Sequence, residues 1–168
     1  MAGKHHDLVD HTRKYKAELY SFFLDLKSWR QFKSKHKLTW QKLRFGATNH
    51  GAVPKERGIY AFTVELEPSQ MPMHGYLLYV GITGDTSDAN LYKRYAQYLR
   101  QRKNKDGRPR MYIALENWAD DLFFNFVPLP SPSVNLAKLE KDLINAVKPP
   151  VNITDFDAEI MAVRKAAF

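Results

Sequence analysis

The chain has 168 residues, 44% of them hydrophobic and 13% aromatic, which is enough for one domain with a core of its own. Its 26 Lys/Arg against 18 Asp/Glu give a net charge of +8 and a pI near 9.6, which favours a polyanionic partner, with nucleic acid the commonest candidate. The absence of cysteine excludes disulfides, thiolate catalysis and Cys-ligated zinc, and no apolar run reaches the ~18–20 residues of a membrane span.

The charge is unevenly placed. Residues 1–50 hold eleven Lys/Arg and four Asp/Glu, whereas 51–100 are balanced and 101–168 nearly so. This divides the chain into a basic helical extension over 1–50 and a near-neutral domain over 51–168. The opening residues, Met1-Ala2-Gly3-Lys4-His5-His6, lack the apolar centre of an export signal, so a cytoplasmic protein is expected. Residues 8–32 predict an amphipathic helix, with Leu8, Leu19, Phe22, Phe23 and Leu26 at helical spacing. Its aromatic side chains suit packing on the domain, or an interface with a larger enzyme or a second copy of the chain. A second short helix is expected over Thr39–Phe45, and Asn49-His50-Gly51 breaks the pattern.

Gly58–Leu66 is rich in Ile, Tyr, Phe, Thr and Val and predicts a strand, with Tyr60, Phe62, Val64 and Leu66 on one face. Pro68 and Pro72 mark a loop, and Gly75–Thr83 predicts the second strand of a long hairpin. On that strand Tyr79 is expected to share a face with Leu77 and Gly81, and Gly81 leaves open space for something to approach the ring. A polar loop from Gly84 to Asp88 ends in helix-capping residues. Then come a helix over Leu91–Lys103, a turn over Lys105–Pro109, a short helix over Met111–Trp118 and a third strand over Leu122–Leu129. Pro128, Pro130 and Pro132 stiffen the next loop, a helix covers Asn135–Val147 until Pro149-Pro150, and a terminal helix is expected over Phe156–Lys165. The order describes an α+β layered domain with a small, mainly antiparallel sheet.

Three sets of polar residues stand out. Glu140 falls within the apolar stripe of Leu136, Leu139, Leu143, Ile144 and Val147. An inward carboxylate is costly unless it reaches solvent at a rim, pairs with a buried arginine or holds a metal ion. Arg94 shares a helix face with Tyr98, where it can lie over the ring or project into a site. Residues 93–110 carry Lys93, Arg94, Arg100, Arg102, Lys103, Lys105, Arg108 and Arg110 against one acid, Asp106, with Tyr92, Tyr95 and Tyr98 interleaved. Such a run is either a solvated helix face or a surface for phosphate contact and base stacking. The histidines at 5, 6, 11, 50 and 74 form no metal-ligand spacing.

Gly58-Ile59-Tyr60, Tyr79-Val80-Gly81, Arg94 with Tyr98 four later, Glu140, and Asn152 after Pro149-Pro150-Val151 occur in an order that resembles the GIY-YIG nuclease family. The likeness covers about residues 56–153. It implies a three-stranded antiparallel sheet flanked by helices, and a metal-dependent endonuclease that hydrolyses phosphodiester bonds in double-stranded or branched DNA. By this likeness Glu140 would hold one Mg²⁺ or Mn²⁺ ion. Arg94 would stabilise charge on the phosphate, Tyr60 or Tyr79 would help activate water, Tyr98 would sit beside them and Asn152 would support the site. Where many members carry a lysine, this chain has Ile82, followed by Thr83. The competing expectation is a non-catalytic nucleic-acid-binding protein that keeps the fold, although such a protein has no need of an inward Glu140.

Overall fold

The computed structural model describes residues 26–66 and 74–152. Most of the helix expected over 8–32, the loop prolines at 68 and 72, and the terminal helix expected over 156–165 lie outside these residues. Helix α1 (Leu26–Gln31) is the described end of the first of them. The strands are β1 (Gln41–Arg44), β2 (Gly58–Leu66), β3 (His74–Thr83) and β4 (Leu122–Pro128). The remaining helices are α2 (Leu91–Asn104), α3 (Pro109–Asn117) and α4 (Leu136–Val147), with a 3₁₀ turn over Ala47–Ala52.

The fold is α+β, as the pattern predicts, but the antiparallel sheet has four strands rather than three, in the order β1-β4-β2-β3. The additional strand is β1, where a short helix was expected. Its local sequence is ambiguous, and pairing decides its state. Gln41 to Arg44 run antiparallel to Phe126 to Phe123. Leu43 turns into the core, while Lys42 and Arg44 lie over the Phe123 ring at 4.9 and 5.4 Å. Capping the free edge of β4 in this way outweighs a weak helical preference.

β2 is central, with β4 paired to one edge and β3 to the other, and helices cover both of its faces. Tyr60, Phe62 and Val64 pack with Leu91, Tyr95, Tyr98, Met111 and Leu115 of α2 and α3. Ile59 and Ala61 pack on the opposite face with Leu136, Leu139, Leu143 and Ile144 of α4. Both long helices are capped as their sequences dictate. The Asn90 side chain accepts from the Lys93 N–H and that of Asn135 accepts from the Lys138 N–H, each at 2.8 Å. They end in left-handed residues, Lys105 (φ 54°) and Lys148 (φ 47°).

The β2–β3 ladder shifts register between Phe62, opposite Tyr79, and Thr63, opposite Leu77. Leu78 is the inserted residue. This bulge puts Leu78 and Tyr79 with the α2–α3 core and Leu77 with the α4 core. Leu77 and Tyr79 therefore do not share a face, because the extra residue breaks the two-residue alternation.

Candidate active site

The two Tyr/Gly triplets meet across the sheet. In the β2–β3 ladder Tyr60 lies opposite Gly81. A Cβ on Gly81 would sit 2.5 Å from the Tyr60 hydroxyl oxygen, 2.6 Å from its Cζ and 2.9 Å from Tyr79 Cε1. The missing side chain is thus the space that the Tyr60 phenol occupies. Gly58 meets a similar demand, since a Cβ there would come within 2.2 Å of the Val127 carbonyl oxygen. The Tyr60 ring then stacks on Phe124, with centroids 5.4 Å apart, and its hydroxyl hydrogen-bonds that of Tyr98 at 2.8 Å.

α2 supplies the second wall. Arg94, Gln97, Tyr98 and Gln101 recur at helical spacing and line one cavity of about 610 Å³. Tyr60, Tyr79 and Ile82 line it from the sheet, Glu140 from α4, and Arg108, Arg110 and Met111 from the start of α3. Arg94 donates to the Gln97 side-chain oxygen at 2.7 Å, and its buried Nε has no hydrogen-bond partner among the described residues. None of Arg94, Arg108 and Arg110 forms an ion pair among the described residues. Three guanidinium groups thus face one carboxylate, Glu140, which is half-buried.

Asn152 stands behind this cavity. It is 1% exposed, accepts from the Val80 N–H and donates to the Val80 carbonyl, both at 2.8 Å. These bonds occupy the backbone groups that β3, an edge strand, turns away from β2. Asn152 therefore fixes the middle residue of the second triplet and acts by positioning its neighbours. Thr83, next to Ile82, is buried and is not among the residues that line the cavity.

Burial pushes the Tyr60 and Tyr98 phenols well above their ordinary value; Tyr98 and Tyr79 raise Tyr60 further against Arg94, and Tyr79 raises Tyr98 against its hydrogen bond with Tyr60 and the Arg94 charge. Burial also raises Tyr79, but hydrogen bonding from Tyr98, the Arg108 charge and hydrogen bonding from Tyr60 act to lower it, opposed by Glu140. Tyr79 is only partly buried, whereas Tyr60 and Tyr98 are buried. It is therefore the phenol best placed to give up a proton when further positive charge arrives.

The basic run does not form one surface. Arg108 and Arg110 join the cavity, whereas Arg100, Arg102, Lys103 and Lys105 line a separate groove on the opposite face of α2, where Arg102 pairs with Glu116 at 3.6 Å. Lys93 points elsewhere, its Nζ donating to the Asp88 carbonyl. Gln97 and Gln101 are site residues that composition does not flag. Their spacing of three and seven from Arg94 is the signal that reveals them. His50 stacks on Tyr92 at 3.8 Å, outside the cavity lining.

Among the described residues no group of three or more His, Asp or Glu side chains is gathered to chelate a metal, and no helix is long and apolar enough to cross a membrane. Comparison of the chain with protein-family models, with curated proteins and with solved structures finds no match.

Proposed function

We propose that this cavity is the active site of a GIY-YIG endonuclease that hydrolyses phosphodiester bonds in DNA with the help of one divalent metal ion. The observation that carries the reading is the convergence of Tyr60, Tyr79, Arg94, Tyr98 and Glu140, drawn from two strands and two helices, on one cavity with an excess of positive charge.

A lone carboxylate can serve Mg²⁺ or Mn²⁺, which bind through one or two carboxylates together with substrate phosphates and keep several waters. Glu140 would hold it, and the ion would supply charge that lowers the pKa of bound water and neutralises the phosphate. Arg94 offers its fork to the non-bridging phosphate oxygens. With its own proton lost under the charge of the ion and Arg108, Tyr79 accepts a proton from water. The water oxygen adds to phosphorus, the bond to the leaving oxygen breaks, and phosphate charge develops against Arg94. Glu140 and Arg94 also explain why polar groups were placed among apolar ones.

Supercoiled plasmid mixed with the protein and Mg²⁺ tests the reading. Nicking or linearisation that EDTA abolishes is the expected result. A gel shift of the plasmid with no scission in Mg²⁺ or Mn²⁺ would instead favour a nucleic-acid-binding protein that keeps the fold.

A further inference from the structure

We propose that Arg108 and Arg110 form a second phosphate subsite beside the one served by Arg94, so that the cavity grips two successive phosphates of one polynucleotide strand. This rests on the phosphodiester reading of the cavity. Arg108 and Arg110 line the same cavity as Arg94 but enter it from α3 rather than α2. The chain is turned to deliver them. Lys105 ends α2 in a left-handed conformation and Gly107 follows with φ 92°. The Asp106 N–H bonds the Gln101 carbonyl at 3.2 Å, and a Cβ on Gly107 would lie 2.8 Å from the Gln101 side-chain nitrogen. A residue other than glycine would strain this turn and meet Gln101, so the path to Arg108 is built into the fold.

Charge balance points the same way. One diester phosphate carries a single negative charge, whereas three guanidinium groups that have no ion-pair partner among the described residues, and the proposed divalent ion, share the cavity with one carboxylate. A second phosphate reduces that positive excess and matches the planar fork of arginine. Arg100, Arg102, Lys103 and Lys105 face another groove, so Arg108 and Arg110 are not a mere continuation of that basic run.

Calorimetric titration of the full chain with thymidine 3′,5′-bisphosphate and with thymidine 5′-monophosphate tests the subsite. The bisphosphate should bind about tenfold more tightly or better, the gain typical of one added charge-assisted pair. The double variant Arg108→Ala/Arg110→Ala should equalise the two ligands, and both side chains are exposed enough for the fold to tolerate it. Arg94→Ala should weaken both ligands. Arg100→Ala/Lys103→Ala should preserve the bisphosphate preference. No preference in the wild type, or a preference that survives loss of both Arg108 and Arg110, overturns the subsite. A bisphosphate preference without plasmid scission would sink the nuclease reading and keep the subsite, whereas scission without the preference would do the reverse.

Discussion

Replacing Gly81 with alanine is the sharpest test of how the site is built. The new Cβ would lie 2.5 Å from the Tyr60 hydroxyl oxygen and 2.9 Å from Tyr79 Cε1, so the Tyr60 ring must move. It has nowhere to go, since it is 2% exposed, stacked on Phe124 and bonded to Tyr98 at 2.8 Å. Overpacking of this kind costs about 1–3 kcal/mol. Breaking the buried Tyr60–Tyr98 bond adds about 1–3 kcal/mol. Alanine restricts the unfolded chain and returns about 0.4–1 kcal/mol. The net loss is about 3 kcal/mol, between roughly 1 and 6 kcal/mol at the extremes, and the central value is equivalent to about 6–12 °C in Tm for a chain of this size. Displacing Tyr60 and Tyr79 should also lower plasmid scission about 100-fold. Gly51→Ala is the control, because nothing lies within 4 Å of its Cβ, and it should stay within about 0.5 kcal/mol of wild type. Thermal melts and scission rates measure both effects. A Gly81→Ala protein that melts within 2 °C of wild type (about 1 kcal/mol or less) and cuts normally would refute the packing argument.

Asn152→Ala strips both partners from the buried backbone of Val80, which should cost about 2–4 kcal/mol in denaturant melts and reduce turnover through β3 rather than through lost phosphate contact. Tyr60 and Tyr98 have folded pKa values raised above the ordinary value near 10. Above pH 10 the unfolded chain therefore binds fewer protons than the folded one, and stability, complete below that pH, falls as pH rises by about 1.4 kcal/mol per pH unit for each phenol. Denaturant titrations between pH 9 and about 11 should show this loss, and Tyr60→Phe/Tyr98→Phe should reduce it, leaving the smaller share of Tyr79 and Tyr95, which burial also raises. Scission by the wild type should rise with pH from about 7 to 9, as expected of a base with a high pKa. Tyr79→Phe should remove both the rise and at least about 100-fold of the rate.

Much of the architecture is legible where a strong period meets clear stops. β2 spans Gly58–Leu66 as its composition predicts, and α4 runs from the Asn135 cap to the residue before Lys148. The inward turn of Glu140 follows from the same period, because it lies three or four residues from Leu136, Leu143 and Ile144. β1 is not legible. It has four residues with one half-buried side chain, and its backbone is held by β4, far away in sequence. It also joins part of the first fifty residues to the sheet. The bulge at Leu78 leaves no mark in the sequence, since Leu77-Leu78-Tyr79 reads equally well without it. The eight cations of 93–110 look like one patch in one dimension. A helical projection of α2 separates Arg94 from Arg100 and Lys103, but the return of Arg108 and Arg110 depends on the turn at Gly107, which is set in three dimensions. The space at Gly81 was foreseen, yet its occupant is Tyr60 from the neighbouring strand rather than an incoming ligand.

The measurement that tests the central claim most directly sets wild type beside Glu140→Gln, with plasmid scission in Mg²⁺ and DNA binding by gel shift recorded on the same preparations. The substitution keeps the shape of the side chain and removes its charge. Scission should fall at least about 100-fold, as expected when a group that acts in the transition state is lost, while DNA binding stays equal or tightens because a negative charge has left the cavity. Equal scission by the two proteins would contradict the role given to Glu140 and, with it, the account of this cavity as a metal-assisted phosphodiester hydrolase.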